Sequence, residues 1–430
     1  MSGFAFEPAV QLPGRLGRTG VISTPHGTIK TPAFVVVGTK ATIKAVLPES
    51  VAAFGAQAVL ANAYHLYLQP GAEIVDAAGG LGRFMNWPGP TFTDSGGFQV
   101  MSLGVGFKKV LAMNTAGLAD DDVIADGRTR LAQVDDDGVT FTSHLDGSLH
   151  RFTPEIAIRI QHQLGADVIF ALDECTTLMN TRGYQEQSVA RTHRWAERCL
   201  AENLRQTQQS PDRAYQALFA VVQGAQYEDL RRQAARDLNS LSIDGCGFDG
   251  YGIGGALEKE NLGTIVGWVC AELPDAKPRH LLGISEPDDF FTAVENGADT
   301  FDCVAPSRVA RNAAVYTRQG RFNVSTAACR RSFVPIDDGC DCYTCTHYTR
   351  AYLHHLFKAK EMLASTLCTI HNERFIVTLV DAIRTSIEDG TFDDFRADFL
   401  GRYYAGPPRL PTAAAPHPPS RGTSSFSPQQ

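Results

Sequence analysis

Thr91-Phe92-Thr93-Asp94-Ser95-Gly96-Gly97-Phe98-Gln99 places a short β-prone run, a carboxylate and two glycines in nine consecutive residues. A run that short reads as a buried strand, and the glycines mark a loop that leaves it abruptly. The arrangement recurs along the chain. Ala33–Val37, Ala58–Leu60, Thr91–Thr93, Val168–Leu172, Leu218–Val222, Gly250–Ile253, His280–Leu282 and Thr300–Phe301 are β-prone, and most lead into a helical stretch. Strands alternating with helices predict a parallel sheet. Eight units over roughly 270 residues fit an α/β fold of the (β/α)8 TIM-barrel type, which takes about 250. A doubly wound open sheet is the alternative, because this pattern does not give strand order.

The residues just beyond these runs carry the chemistry. They are Asp94-Ser95-Gly96-Gly97, Asp173-Glu174-Cys175, Gln223-Gly224, Gly254-Gly255, Gly283 and Asp302-Cys303. In a barrel they converge on the C-terminal face, where barrel enzymes place their sites. Carboxylates, an amide and bare backbone N–H groups suit a flat polar ring. Any single Asp after a strand is more simply a helix cap or turn residue. Repetition at successive strands favours a site. Two carboxylates can divide glycosidic chemistry: one attacks the anomeric carbon, the other moves protons. Attack by water would then make a hydrolase, and attack by a second base a base-exchanging transferase.

The 430 residues are 43% apolar and 20% charged, with a net charge of −8, which excludes wholesale disorder and a globally basic nucleic-acid coat. No run approaches the roughly 18 apolar residues of a membrane span. With no secretory signal read at the N-terminus, the expected setting is the cytoplasm, and the ten cysteines are expected as thiols or metal ligands rather than disulfides. Residues 107–137 form an acidic insertion with Asp120, Asp121, Asp122, Asp126, Asp135, Asp136 and Asp137, expected to be solvated. Residues 405–430 hold seven of the 22 prolines and read as a disordered tail.

Cys340-Asp341-Cys342-Tyr343-Thr344-Cys345 is the sharpest local signal. Three thiols within six residues, with one imidazole, suit a closed tetrahedral zinc site. His347, His354, His355 and His371 are the candidates for the fourth ligand. His347 is too near to close the ring comfortably, His354 and His355 lie in an amphipathic helix, and His371 follows it. Between Cys303 and Ile336 there is no acid, while Arg308, Arg311, Arg318, Arg321, Arg330 and Arg331 make a basic strip that suits an RNA backbone. The bland reading is surface arginines paired with distant acids. Gly245-Cys246-Gly247-Phe248-Asp249-Gly250 matches GxGxxG but lacks the strand-and-helix context and is discarded. His144 reads as a turn residue. Cys199, Cys246, Cys270, Cys329 and Cys368 read as packing residues.

Thr93-Asp94-Ser95-Gly96-Gly97-Phe98-Gln99-Val100, Asp173-Glu174-Cys175, Gln223-Gly224, Gly254-Gly255, Phe301-Asp302-Cys303-Val304 and the cysteine cluster together resemble the bacterial type of tRNA-guanine transglycosylase, in the same order over roughly residues 14–404. The resemblance implies a (β/α)8 catalytic barrel over 14–336 after an N-terminal extension (1–13), and a zinc-binding helical subdomain over 337–404. It implies replacement of the wobble guanine in tRNAs for Asp, Asn, His and Tyr by 7-aminomethyl-7-deazaguanine, through a covalent ribosyl-enzyme. Asp302 would be the nucleophile and Asp94 the general acid/base. Ser95, Gly96, Gly97, Phe98, Asp173, Cys175, Gln223, Gly254, Gly255 and Leu282 would hold the base, with Phe98 and Leu282 sandwiching its ring.

The segments Gly283, Ile284, Ser285, Glu286, Pro287, Asp288, Asp289 and Ser307, Arg308, Val309, Ala310, Arg311 would contact the tRNA anticodon stem-loop. Cys340, Cys342, Cys345 and His371 would hold one structural Zn2+, and the enzyme would be a homodimer. Departures from the family pattern are the long acidic insertion, Ala256-Leu257-Glu258 after Gly255, Ser285-Glu286 where Gly-Lys is common, and Ala313 after Arg311-Asn312. Cys175 beside Asp173 resembles the form that takes the aminomethyl base rather than queuine.

Overall fold

The computed structural model describes residues 3–100, 132–255, 257–284 and 286–406. Asp120, Asp121, Asp122, Asp126, Ala256, Ser285 and the tail from 407 onward lie outside the described residues.

An antiparallel sheet comes first: β1 (Ala5–Gln11), β2 (Arg18–Thr24) and β3 (Gly27–Thr31). The barrel begins with β4 (Ala33–Val37), β5 (Val59–Ala61) and β6 (Thr91–Thr93). A small antiparallel sheet follows, β7 (Ala132–Val134), β8 (Val139–Thr142) and β9 (Leu149–Phe152). The barrel resumes with β10 (Val168–Phe170), β11 (Ala217–Val222), β12 (Gly250–Ile253), β13 (Arg279–Leu281) and β14 (Thr300–Cys303). All eight neighbouring pairs are parallel, and β14 pairs with β4 to close the ring in sequence order. The (β/α)8 barrel is therefore the fold, and the open sheet is excluded.

Strand alternation explains which residues line the interior. Val35, Leu60, Phe92, Phe170, Phe219 and Val221 form the inner core, capped from the N-terminal end by Phe4, Phe6, Ile22 and Ile29 of the first sheet. Phe34, Val36, Val59, Ile169, Leu218, Ala220, Leu281 and Phe301 face outward into the helix layer. By the same two-residue period Thr300 and Asp302 share the inward face of β14, and Asp94 follows Phe92 inward. The buried Arg18 guanidinium bonds both Asp299 oxygens at 2.9 and 2.8 Å, fixing the first sheet to the foot of β14.

Five strand boundaries shift from the sequence reading by one or two residues, and two of these shifts and the end of the acidic insertion bear on the site. The apolar run at 168–172 leaves the strand after Phe170, because Leu172 N–H turns to Cys199 Sγ at 3.3 Å. Buried apolar residues thus continue beyond the strand itself. Asp302 lies within β14, paired with Val35, rather than after it. At the end of the acidic insertion, Asp135, Asp136 and Asp137 are not merely solvated. Asp135 takes Arg151 through both oxygens, at 2.9 and 2.7 Å, while Asp136 and Asp137 meet Arg194 and Arg198 of the helix Arg182–Gln209.

After the barrel, the hairpin β15 (Ala314–Thr317) and β16 (Gly320–Asn323) precedes the helices Tyr343–His347, Arg350–Ala359, Met362–Glu388 and Phe392–Tyr403. Val315, Val324, Ile336, Cys342, Cys345, Leu353 and Leu367 form a separate small core. The helix Met362–Glu388 joins the two parts: Ala364, Leu367 and Cys368 belong to the small core, while Ile376, Val380 and Ile383 pack on the barrel's outer layer. No helix among the described residues is long and apolar enough to cross a membrane.

Candidate active site and metal-ligand cluster

The C-terminal ends of β5, β6, β10, β11, β12, β13 and β14 bring the predicted residues to one mouth of the barrel. Asp94 sits just past β6. Asn62 Nδ2, just past β5, donates to its Oδ2, Gln99 Nε2 donates to the same oxygen at 2.8 Å, and Ala63 N–H donates to Oδ1 at 2.8 Å. Burial pushes its pKa up, the three donors pull the other way, and the Asp302 charge adds to the rise. Asp94, just past β6, and Asp302, near the end of β14, thus lie at the same end of the barrel on inward-facing positions.

Asp302 is anchored from below. His280 is fully buried inside the barrel against Phe92 and Phe170. Its Nδ1 lies 2.9 Å from Thr300 Oγ1 and its Nε2 3.2 Å from Asp302 Oδ1. An ionised carboxylate only accepts, so Nε2 carries the proton and Nδ1 accepts from the Thr300 hydroxyl. Gly283 N–H donates to the same Asp302 oxygen at 3.3 Å. The other oxygen remains for the site, and the side chain is 15% exposed.

Asp173, past β10, accepts from Gln223 Nε2 at 2.6 Å and from Ser95 Oγ at 3.5 Å. Burial raises its pKa to about 6 against those two bonds. Gln223 Oε1 has no partner among the described residues, so the amide is half-satisfied and ready for a further donor. Two glycines here are required by space. A Cβ on Gly254 would lie 2.7 Å from Val221 Cγ1, and one on Gly255, whose φ is +91°, would lie 2.6 Å from Gln223 Oε1. Burial pushes the Cys175 thiol up to about 12, so it stays neutral and serves as packing or a weak polar contact.

Phe98 is 39% exposed and Leu282 is partly buried on the inner core. In the first proposed RNA segment Gly283 is exposed, whereas Ile284, Pro287 and Asp289 are buried. Glu286 and Asp289 form a capping box for the helix Pro287–Glu295, Glu286 also pairs with Arg321 at 3.2 Å, and Asp288 pairs with Lys259 at 3.0 Å. In the second, Ser307 and Ala310 are buried and Arg308 is exposed. Among the described residues Arg321 is the one strip arginine whose side chain makes a carboxylate ion pair, while Arg318 gives its N–H to Asp337 at 3.1 Å and Arg311 lies within the field of the buried Glu373.

Cys340, Cys342, Cys345 and His371 converge, with their ligand atoms within 4.8 Å of one another. His371 Nε2 lies 2.7 Å from the Tyr316 carbonyl oxygen, to which it donates. That leaves the Nδ1 lone pair facing the three sulfurs, at 3.7, 3.5 and 3.3 Å. Bonds of about 2.3 Å to sulfur and about 2.0 Å to nitrogen put tetrahedral ligands about 3.5 Å apart, which these spacings match. Cys342 caps the helix Tyr343–His347 and accepts from Cys345 N–H at 3.3 Å. The group can hold a metal ion. Of the rejected histidines, His347 bonds the Tyr343 carbonyl and His354 the Val324 carbonyl.

Sequence reasoning missed Asn62, Gln99, His280 and Arg231. His280 had a signal, being a polar residue at an inward position of a buried barrel strand. Arg231 had a stronger one: with Ala234, Ala235 and Leu238 it lies on the buried stripe of the helix Glu228–Ser240. Cys246 was read as a packing residue but is exposed, in the tight turn that bridges Ile243 and Cys246. His144 meets Tyr64 Oη at 2.9 Å, in keeping with a structural role.

Comparison with known proteins covers most of the chain. The family model described as queuine tRNA-ribosyltransferase matches residues 14–405. The chain is 45% identical over 397 residues to the queuine tRNA-ribosyltransferase of Symbiobacterium thermophilum, covering 92% of this chain and 90% of that one. It is 44% identical over 390 residues to that of Herpetosiphon aurantiacus (91% and 91%) and 44% over 392 residues to that of Moorella thermoacetica (90% and 95%). With the barrel, its carboxylate-lined mouth and the Cys3His group all in place, the chain belongs to the queuine tRNA-ribosyltransferase family of transferases.

Proposed function

We propose that this chain exchanges the wobble guanine of tRNAs for Asp, Asn, His and Tyr for 7-aminomethyl-7-deazaguanine, by double displacement. The observation that carries the reading is the pair Asp94 and Asp302, held at one barrel mouth by separate sets of donors. An Asp302 oxygen bonds the ribose C1′ as the C1′–N9 bond breaks, and the electron pair leaves with the guanine. Asp94, its pKa raised by burial, passes the proton that the departing base needs. The incoming base returns a proton to Asp94 and displaces Asp302, restoring the enzyme.

Asp173 is suited to the N–H edge of the base, and Gln223 Nε2 and Gly255 N–H to its carbonyl oxygen. The neutral thiol of Cys175 beside Asp173 favours the aminomethyl base over queuine. Phe98 and Leu282 bracket the ring. The strip arginines and the Gly283–Asp289 and Ser307–Arg311 segments face the anticodon stem-loop.

The Cys340, Cys342, Cys345 and His371 set fits zinc. With all four tetrahedral positions filled by protein, the ion stabilises the fold and takes no part in the reaction. We assign catalysis to 14–336, metal binding to 337–404, and the working unit to a homodimer in the cytoplasm. Incubating the purified chain with labelled guanine and total tRNA tests the exchange: the label should map to the wobble position of the four tRNAs. Label in other positions, or free guanine without incorporation, would replace exchange with another activity.

A further inference from the structure

Arg231 is a fully buried guanidinium with no carboxylate partner among the described residues. Its bonds go to backbone. Nε donates to the Ala225 carbonyl at 2.8 Å, and Nη1 donates to the carbonyls of Val222 and Gly254, each at 2.8 Å. Those three carbonyls frame the two loops that present Gln223 and Gly255. Burying an uncompensated cation is costly, and an apolar side chain would fill the same stripe beside Ala234 and Ala235 without that cost. Burial presses the guanidinium's pKa down to about 10, which leaves it charged at neutral pH.

The geometry has a directional consequence. In a planar trans peptide the C=O and N–H point opposite ways. Arg231 holds the Gly254 oxygen, so the Gly255 N–H is turned away from the guanidinium. Gly255 itself lies against Gln223, whose Oε1 would sit 2.6 Å from a Cβ built there and whose Nε2 donates to Asp173. The Gly254–Gly255 peptide thus lies end to end between a buried cation and the base site. A cation on the oxygen end of a peptide makes its N–H a stronger donor in a low-dielectric setting.

We propose that Arg231 is a positioning residue that aims the Gly255 N–H at the carbonyl oxygen of the bound base and strengthens it as negative charge develops there. The inference rests on the base-exchange reading. When the C1′–N9 bond breaks, the electron pair spreads over the purine to its C6 oxygen, and a donor aimed there acts as an oxyanion hole does.

The test compares inhibition of tRNA exchange by guanine, which has the C6 oxygen, and by 2-aminopurine, which lacks it. The enzymes are wild type, Arg231→Met and Arg231→Lys, each full length and checked for folding by thermal unfolding. Arg231→Met should weaken guanine by about tenfold, the usual worth of one well-aimed hydrogen bond, with 2-aminopurine changed by less than about threefold. Arg231→Lys keeps the charge but loses the fork, and should lose less than Met, again selectively for guanine. Equal weakening of both bases, or of neither, would overturn the proposal by showing a purely structural role. Should Arg231→Met fail to fold, the guanine-to-2-aminopurine ratio in Arg231→Lys decides alone, an unchanged ratio overturning it. A wild-type chain that exchanges no guanine fails the underlying reading instead.

Discussion

Replacing Asp173 by Asn should stabilise the unliganded protein, and by an amount that depends on pH. The carboxyl is buried, and its pKa rises from 3.8 to about 6 because burial outweighs the bonds from Gln223 and Ser95. That difference corresponds to about 3 kcal/mol between the protonation states. The folded-state value is the higher, so the folded protein holds this proton longer than the unfolded chain. The penalty is absent below pH 3.8, grows as the pH rises, and is complete above about 6. The Asn variant imitates the protonated acid. Gln223 can turn its unpartnered Oε1 toward the new amide, so the pair survives the change. The stability gap between Asp173→Asn and wild type should therefore widen by about 2 kcal/mol between pH 4.5 and 8. At about 2.1 cal/mol/K per residue this is about 2 °C in the midpoint for a chain of 430 residues. Thermal unfolding of both proteins across that range is the assay. A gap that is the same at both ends would refute the claim that Asp173 is strained by burial, and so the reasoning that it awaits the polar edge of a ligand.

Cys342→Ser should drop bound metal to near zero by elemental analysis and lower the unfolding midpoint, with the loss centred on the small core around Val315, Ile336 and Leu353; full metal content would contradict the ligand set. Gly255→Ala, which puts a methyl 2.6 Å from Gln223 Oε1 at a φ of +91°, should weaken base binding by about tenfold with little change in tRNA affinity by filter binding; unaltered base affinity would remove Gly255 from the pocket. His280→Ala should cut kcat more than KM, because Asp302 loses a donor that fixes its orientation while the binding groups stay put; an unchanged kcat would make His280 a packing residue.

The barrel was legible because strand and helix signals alternate and because Phe92, Phe170 and Phe219 keep the two-residue period that sets Asp94 and Asp302 inward. Strand ends were less legible. Ala171 N–H gives the last ladder bond, to Phe219 O at 2.9 Å, and hydrophobicity persists through Leu172, which packs against the helix layer. The acids and glycines of the site were visible as a recurring punctuation after strands. The groups that hold them were not. Asn62, Gln99 and His280 are ordinary polar residues in sequence, and only the parallel pairing of β5 with β6, with Ala61 opposite Thr93, brings Asn62 of one loop onto Asp94 of the next. Choosing His371 among four histidines likewise needed the long helix to fold back on the cysteines, which spacing alone leaves open. Arg231 shows a charged residue on an apolar helical stripe, a local conflict that reads as a clue once the stripe is written out.

The most direct measurement is capture of the covalent intermediate. Wild-type chain mixed with tRNA and quenched in denaturant should show a protein–RNA band on a denaturing gel, and peptide mapping should place the ribose on Asp302. Asp302→Asn should bind the same tRNA in a native gel yet give no such band. A covalent band that persists in Asp302→Asn, or a wild-type attachment at any other residue, would contradict the account.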